Sequence, residues 1–250
     1  MTFSVSCLTA QVNSLPNTHS HNDYLQKNPL KDALDHHFAS IEADVFLIHG
    51  ELFVSHTFPI LKRRRLDSLY IEPIARIAKE RNGKIYDNGP LILLIDIKSD
   101  ANQTYLILKK MLEPHRNLLS RYDNGTFIPG AITVILSGNK PHDLVQKEKQ
   151  RFTFIDQSFL ELEYDVPAGC YLMASTKYSN VLSWKGKGEI PEKDKERLTI
   201  MVGVAHSQGK KVRFWASPEN KAVWKFLLDY GVDLINTDKL EELSEFLKTR

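Results

Sequence analysis

Two apolar runs, Leu91–Ile95 and Ile132–Leu136, the second broken only by Thr133, constrain this chain more than any other feature, because each is short and leaves neither face for water. Strands buried on both faces read this way, and they occur in parallel sheets covered by helices. Further strands are expected before His19 and at Ala39–Leu47, Phe152–Ile155, Cys170–Ala174, Lys211–Trp215 and Val232–Asn236, which makes eight. Helical periodicity fills the intervals, at Leu30–His37, Tyr70–Arg81, Ala101–Leu112, Pro141–Gln150, Lys193–Gln208, Asn220–Tyr230 and Leu240–Leu247. Gly209, Gly231 and Asp238 supply end signals. Eight strands alternating with helices in 250 residues, with no Gly/Ser linker or charge block between them, predict one α/β domain, a (β/α)8 TIM barrel irregular around Glu161–Gly169.

Such a barrel carries its chemistry at the carboxyl ends of its strands. Glu42 and Asp44 fall near the end of the second strand, and at i and i+2 they share one face and can grip a hard cation. Asp96 and Lys98 repeat the arrangement on the third strand. His19 and His21 end the first strand, His56 follows the second, Trp215 ends the seventh, and Asn236-Thr237-Asp238 end the eighth.

The net charge of +2, without a zinc-finger pattern or a long basic helix, argues against nucleic acid as a partner. The run Lys62-Arg63-Arg64-Arg65 is either a solvated loop face or a patch that draws anionic substrate or a membrane surface to the barrel mouth. Cys7 and Cys170 form no CxxC pattern and read as inert thiols. No apolar run of about 18 residues exists, so no transmembrane span is expected. Residues 1–14, with small residues around Ala10, read as the remnant of a secretion signal or a disordered N-terminus, and residues 15–250 as the barrel. A secreted or periplasmic location is the expectation over a cytoplasmic one.

In order along the chain stand Ser20-His21-Asn22-Asp23-Tyr24, then Ile41-Glu42-Ala43-Asp44-Val45, Gly50-Glu51-Leu52-Phe53-Val54-Ser55-His56, Leu69-Tyr70-Ile71-Glu72-Pro73 and Asn236-Thr237-Asp238. Together these resemble the phospholipase C-like phosphodiesterase superfamily, with its glycerophosphodiester phosphodiesterase and sphingomyelinase D branches. The sharpest similarity is to the subgroup that includes altered inheritance of mitochondria protein 6. The resemblance implies a divalent metal, Mg²⁺ or Ca²⁺, held by Glu42, Asp44 and Asp96. It implies His21 and His56 as an acid/base pair and Lys98 on the phosphate. Two departures stand out: Asn22 replaces the arginine that follows the first catalytic histidine of the glycerophosphodiesterases, and their glutamate in the loop after strand one has no counterpart. Asp96-x-Lys98 is closer to the sphingomyelinase D branch, so a (lyso)phospholipid is implied as readily as a glycerophosphodiester.

The residue types suit that chemistry. A phosphodiester repels nucleophiles and has a poor alkoxide leaving group, so a catalyst must neutralise the one and protonate the other. Imidazoles titrate near neutral pH and can divide the proton transfers. His19 is read as a neighbour that orients His21 or the substrate, and Asn22 as a substrate contact or, with Asp23, a turn-former. Trp215 is either an apolar wall of the site or a core aromatic. His36, His37, His49, His115, His142 and His206 read as surface residues. Two rivals remain: an amidohydrolase-like metal hydrolase that opens with the His19/His21 pair, and a non-catalytic barrel that binds a phosphorylated ligand.

Overall fold

The computed structural model describes residues 11–60, 64–162 and 169–250. Eight parallel strands form the barrel: β1 (Leu15–Ser20), β2 (Phe38–Ile48), β3 (Leu91–Ile97), β4 (Ile132–Gly138), β5 (Thr153–Ser158), β6 (Tyr171–Lys177), β7 (Lys211–Trp215) and β8 (Leu234–Thr237). Each pairs with its neighbours in sequence order, and β8 and β2 both pair with β1, which closes the barrel. The helices are α1 (Lys31–Asp35), α2 (Glu72–Glu80), α3 (Ala101–Leu112), α4 (His142–Lys147), α5 (Glu192–Ser207), α6 (Lys221–Asp229) and α7 (Leu240–Lys248). The expected (β/α)8 barrel is therefore what the sequence folds into. After β5 the described chain makes one turn, Phe159–Glu161, and most of the stretch expected to be irregular lies outside the described residues.

The continuous apolar runs serve two cores at once. Along β3, Ile92 and Leu94 point inward and join Ile135, Phe154, Met173 and Leu234 inside the barrel. Leu91, Leu93 and Ile95 alternate outward and pack under the helices. Toward the carboxyl ends the inward positions turn polar: Asp96, Ser137, Asp156, Ser175, Arg213 and Asn236, with His19, Ser40, Glu42 and Asp44 on β1 and β2. That change of residue type along one face of each strand makes the site.

Several local elements differ from expectation. β2 runs past Leu47, and a two-residue turn folds it back onto Glu51–Val54, with His49 (φ 50°) and Gly50 (φ 81°) both left-handed. This is the turn whose twist matches paired strands. The expected helix at Tyr70 begins earlier, with a wide turn at Asp67–Ile71 before α2, because Pro73 has no N–H to bond back into a regular turn. The helix expected at Pro141–Gln150 stops at Lys147, since Gln150–Arg151 pair with Arg121–Asp123 in a small sheet with Thr126–Ile128. Residues 11–14 are not loose: Val12 N donates to Asp87 Oδ2 at 2.9 Å and Ser14 N to Asn88 Oδ1 at 2.9 Å, so the fold begins before residue 15.

Cys170 is buried, which pushes its thiol up to about 11, and Cys7 lies outside the described residues. Of the basic run, Lys62 and Arg63 also lie outside them. Arg64 donates to the Tyr24 carbonyl at 2.8 Å, and Arg65 pairs with Asp67 and Glu51, so the described half is paired within the fold. No helix among the described residues is long and apolar enough to cross a membrane.

Candidate active site

The site rests on register. Asp44 on β2 stands beside Asp96 on β3, and Glu42 lies one inward step deeper on β2. One oxygen from each of Glu42, Asp44 and Asp96 lies within 4.8 Å of the others, the one group of this kind among the described residues. The sequence expectation for these three residues is met in space.

Each carboxylate divides its oxygens. Asp44 Oδ2 accepts from the Tyr24 hydroxyl at 2.9 Å and lies 3.0 Å from His56 Nδ1 and 3.2 Å from Lys98 Nζ, while Oδ1 is buried without a partner. Asp96 Oδ2 is 3.0 Å from Lys98 Nζ, and its Oδ1 is likewise buried and unpartnered. Glu42 Oε2 takes a bond of 3.0 Å from Arg213 and lies 2.9 Å from His19 Nε2. Buried oxygens without donors are costly. A cation removes that cost for both, so the donor set fits a hard divalent ion with oxygen ligands.

The electrostatics agree. Burial and the neighbouring Asp44 and Glu42 raise Asp96 to about 6, against the opposing pull of Lys98. Burial works against the charged form of Glu42, but Arg213 and His19 overcome it and hold the carboxyl well below the usual range. Burial resists the charge on Lys98, yet Asp96 and Asp44 raise its pKa above that of an ordinary lysine.

His56 reaches the site through the hairpin. Val54 pairs with Val45, Ser55 N donates to the Asp44 carbonyl at 3.1 Å, and the next residue lays its ring on the Asp44 carboxylate. Its side chain is 62% exposed, so the other ring nitrogen is open to a ligand. His21 uses the same half of its ring: Nδ1 lies 2.8 Å from Asp238 Oδ1. Burial lowers the pKa of His21, but Asp238 and Glu42 outweigh it and the net shift is upward. Both imidazoles are thus oriented by a carboxylate at Nδ1, with Nε2 left for chemistry.

His19 is placed differently from the expectation. It is fully buried, with Nδ1 2.7 Å from Ser40 Oγ and Nε2 on Glu42, and burial together with Arg213 pushes it down to about 4. A neutral ring that donates to Glu42 and accepts from Ser40 satisfies both partners, so His19 orients Glu42 and offers no face to substrate. The His19/His21 pair does not converge, because the rings turn to Glu42 and Asp238. This removes the amidohydrolase-like arrangement.

Asn22 is buried in the left-handed region (φ 45°), which asparagine tolerates, with Oδ1 2.7 Å from the Tyr24 hydroxyl. Asp23 accepts from Ser20 Oγ, the Leu30 N–H and the Tyr70 hydroxyl and fixes the turn. Both Asn22 and Asp23 thus take part in the turn after β1. Trp215 is 40% exposed at the rim, with Lys177 Nζ 5.8 Å from its ring centroid, so it is not a core aromatic.

The sequence reading missed Tyr24, Arg213 and Asp156, and placed Asp238 at the end of the eighth strand without its bond to His21. Arg213 is buried and bonds Glu42 and Asn236, with Nη2 3.6 Å from Asp156 Oδ2. Its signal was a cation inside the apolar strand Lys211–Trp215, on the inward side two residues before Trp215. Gly138 was missed too. At φ +68° a Cβ there would lie 2.0 Å from Asp96 Oδ1 and 2.5 Å from the Ile97 carbonyl, so only glycine lets Asp96 occupy its place.

Comparison with known proteins follows the same lines. A model of the AIM6-like phosphodiesterase domain matches residues 7–156, and one of the glycerophosphoryl diester phosphodiesterase family matches residues 211–241. Altered inheritance of mitochondria protein 6 of Eremothecium gossypii is 33% identical over 97% of this chain and 72% of its own length. Its homolog in Arthroderma benhamiae is 32% identical over 88% of this chain and 80% of its own. Among solved structures, a glycerophosphodiester phosphodiesterase from Parabacteroides distasonis superposes with a TM-score of 0.57 at 14% identity, covering 96% of this chain and 99% of that one. A Ca²⁺-dependent phosphatidylinositol-specific phospholipase C from Streptomyces antibioticus gives 0.57 at 14% identity, covering 93% and 95%. These two share the barrel. The chain belongs to the AIM6-like phosphodiesterase family.

Proposed function

We propose that this protein is a divalent-cation-dependent phosphoric diester hydrolase in which His21 and His56 divide the proton transfers. The observation that carries the reading is the split of the carboxylates at the barrel mouth: Asp44 and Asp96 each commit Oδ2 to neighbouring side chains and leave Oδ1 buried and bare. Glu42, Asp44 and Asp96 would hold Mg²⁺ or Ca²⁺, which supplies Lewis-acid charge to a phosphoryl oxygen when bound.

The chain's own residues do the rest. Tyr24 and His56 pin Asp44 from one side and Lys98 from the other, while Arg213 and His19 fix Glu42. Lys98, shared between Asp44 and Asp96, adds positive charge where the diester's own charge must be neutralised. Against burial, Asp238 and Glu42 shift His21 toward its protonated form relative to an ordinary histidine, which suits it to protonate the leaving alkoxide. His56, more exposed and held by Asp44 at Nδ1, accepts the proton of the attacking water or substrate hydroxyl at Nε2. Trp215 offers an apolar surface at the rim for the non-reacting part of the substrate, a small-molecule or lipid phosphodiester.

The test is hydrolysis of glycerophosphocholine, lysophosphatidylcholine, sphingomyelin, phosphatidylinositol and bis-p-nitrophenyl phosphate by the full chain, with and without EDTA. Turnover of at least one diester that EDTA abolishes and Mg²⁺ or Ca²⁺ restores is expected. A chain inert to all five with either cation, or one indifferent to EDTA, overturns the proposal.

A further inference from the structure

His21 takes its orientation from Asp238, and Asp238 is a poor anchor by itself. Its side chain is 57% exposed, and an ion pair open to water loses side-chain entropy to keep one geometry. What is fixed is its backbone. The Asp238 N–H donates to Glu219 Oε1 at 2.5 Å, and the Asp238 carbonyl accepts from Gln26 Nε2 at 3.0 Å. The same Glu219 oxygen accepts from the hydroxyl of the fully buried Thr237 at 2.6 Å, and the Thr237 carbonyl accepts from the His21 N–H at 3.0 Å. One oxygen from the loop after β7 therefore ties down the chain on which both members of the His21–Asp238 pair depend.

The loop that delivers Glu219 is locally unfavourable. Ala216 stands in the left-handed region at φ 52°, where a Cβ crowds the following carbonyl, and the Ser217 hydroxyl is buried without a partner. Neither feature serves α6, which is capped by Asn220: its Oδ1 accepts from the Val223 N–H at 3.0 Å. Glu219 takes no part in that cap, since both of its hydrogen bonds cross to the end of β8. Strain kept in a loop beside a site belongs to how the site works. The demand on residue 219 is for an acceptor with reach, because a carboxylate and an amide oxygen can each receive both bonds.

We propose that Glu219 is a positioning residue: by fixing the Thr237 hydroxyl and the Asp238 N–H it aims the Asp238 carboxylate at His21 Nδ1 and holds the ring with Nε2 free for the substrate. Its place in turnover rests on the phosphodiesterase reading, whereas the aim of the ring does not. Released from Glu219, the Asp238 carboxylate swings in water, and a proton-transfer group out of line lowers the rate of the chemical step rather than the affinity for substrate.

Long-range ¹H–¹⁵N spectra of the imidazoles in the full chain, in alkaline buffer and with His21 assigned by its loss in His21→Ala, show which ring nitrogen carries the proton. In the parent and in Glu219→Gln it should be Nδ1, the nitrogen that faces Asp238; in Glu219→Ala the ring should become a mixture of both tautomers. In turnover, Glu219→Ala should lower kcat about tenfold or more with KM within about twofold, and Glu219→Gln should stay within about threefold of the parent. In an Asp238→Asn background the Glu219→Ala change should lower kcat by less than about threefold, whereas a purely structural loss would act equally in both backgrounds. Glu219→Asp keeps the charge and withdraws the reach, so it should follow Glu219→Ala and serves where that variant fails to fold. A parent-like tautomer in both shortened variants, or an undiminished loss in the Asp238→Asn background, overturns the proposal. The tautomer change in a chain that cleaves no diester overturns the hydrolase reading and leaves the positioning standing.

Discussion

The proton on Asp96 and the proposed cation compete for the same oxygens, and the competition can be worked to a number. In the cation-free fold burial and two neighbouring acids raise Asp96 to about 6, from an ordinary 3.8. The folded state therefore holds this proton more tightly than the unfolded chain does. Its contribution to stability is greatest at low pH and is lost as pH climbs from about 4 through about 6. At about 1.4 kcal/mol per unit the whole loss is about 3 kcal/mol, or roughly 6–12 °C in Tm for a domain of this size. Other carboxylates with lowered values slope the opposite way, so the quantity to measure is the difference between the parent and Asp96→Asn, in EDTA, by thermal melts between pH 4 and pH 7. The same proton must leave before a cation can bind, so the apparent Kd for Ca²⁺ or Mg²⁺ should weaken about tenfold from pH 7 to pH 5. Equal pH slopes in parent and variant, with a cation affinity flat across that interval, would refute both the burial argument and the assignment of Asp96 as a ligand.

Three further outcomes are expected. Gly138→Ala forces a left-handed alanine whose Cβ meets the Ile97 carbonyl and Asp96 Oδ1, so about 1–3 kcal/mol of stability and about a hundredfold in kcat should be lost; a variant with parent melting and cation affinity sinks this reading. Asp238→Asn removes the carboxylate that raises His21, so the alkaline limb of the rate profile should move to lower pH, by an amount that the exposure of Asp238 keeps small; an unmoved limb would take His21 out of the acid's role. His56→Ala should lower turnover about 10²–10⁴-fold while leaving Tm within about 2 °C, because the ring is mostly exposed, and parent-like rates would remove it from the mechanism.

What the sequence shows and what it hides follow from how far each signal reaches along the chain. Leu91–Ile97 announces a two-sided buried strand by itself, and the i, i+2 acids of Ile41–Val45 announce a shared face, so the barrel and its three acids are legible without coordinates. The His49-Gly50 turn passed unread, although it is what returns His56 to Asp44. Arg213 was not legible, because its meaning depends on Glu42, 171 residues away, and on Asp156 two strands over. Asp238 was legible as a strand-end residue and a helix signal, but nothing local shows that its carboxylate meets a histidine 217 residues earlier. Gly138 is the plainest case: nothing in its neighbourhood in sequence says that an aspartate from the next strand needs the space a Cβ would fill.

Those long-range partners also bear on the charge of the proposed cation. At the barrel mouth four inward carboxylates, Glu42, Asp44, Asp96 and Asp156, face two fixed cations, Arg213 and Lys98. His19 adds nothing, since burial and Arg213 keep it neutral. With Asp96 deprotonated the layer carries two surplus negative charges, the charge one divalent ion neutralises. Without that ion a proton on Asp96 relieves part of the surplus, which is what its raised pKa expresses. Had Arg213 been the leucine that the apolar strand around it suggests, a third surplus charge would lie in the barrel interior, with Glu42 unanchored. The arginine that sequence reading passed over thus sets both the position of Glu42 and the surplus charge that the proposed cation would neutralise.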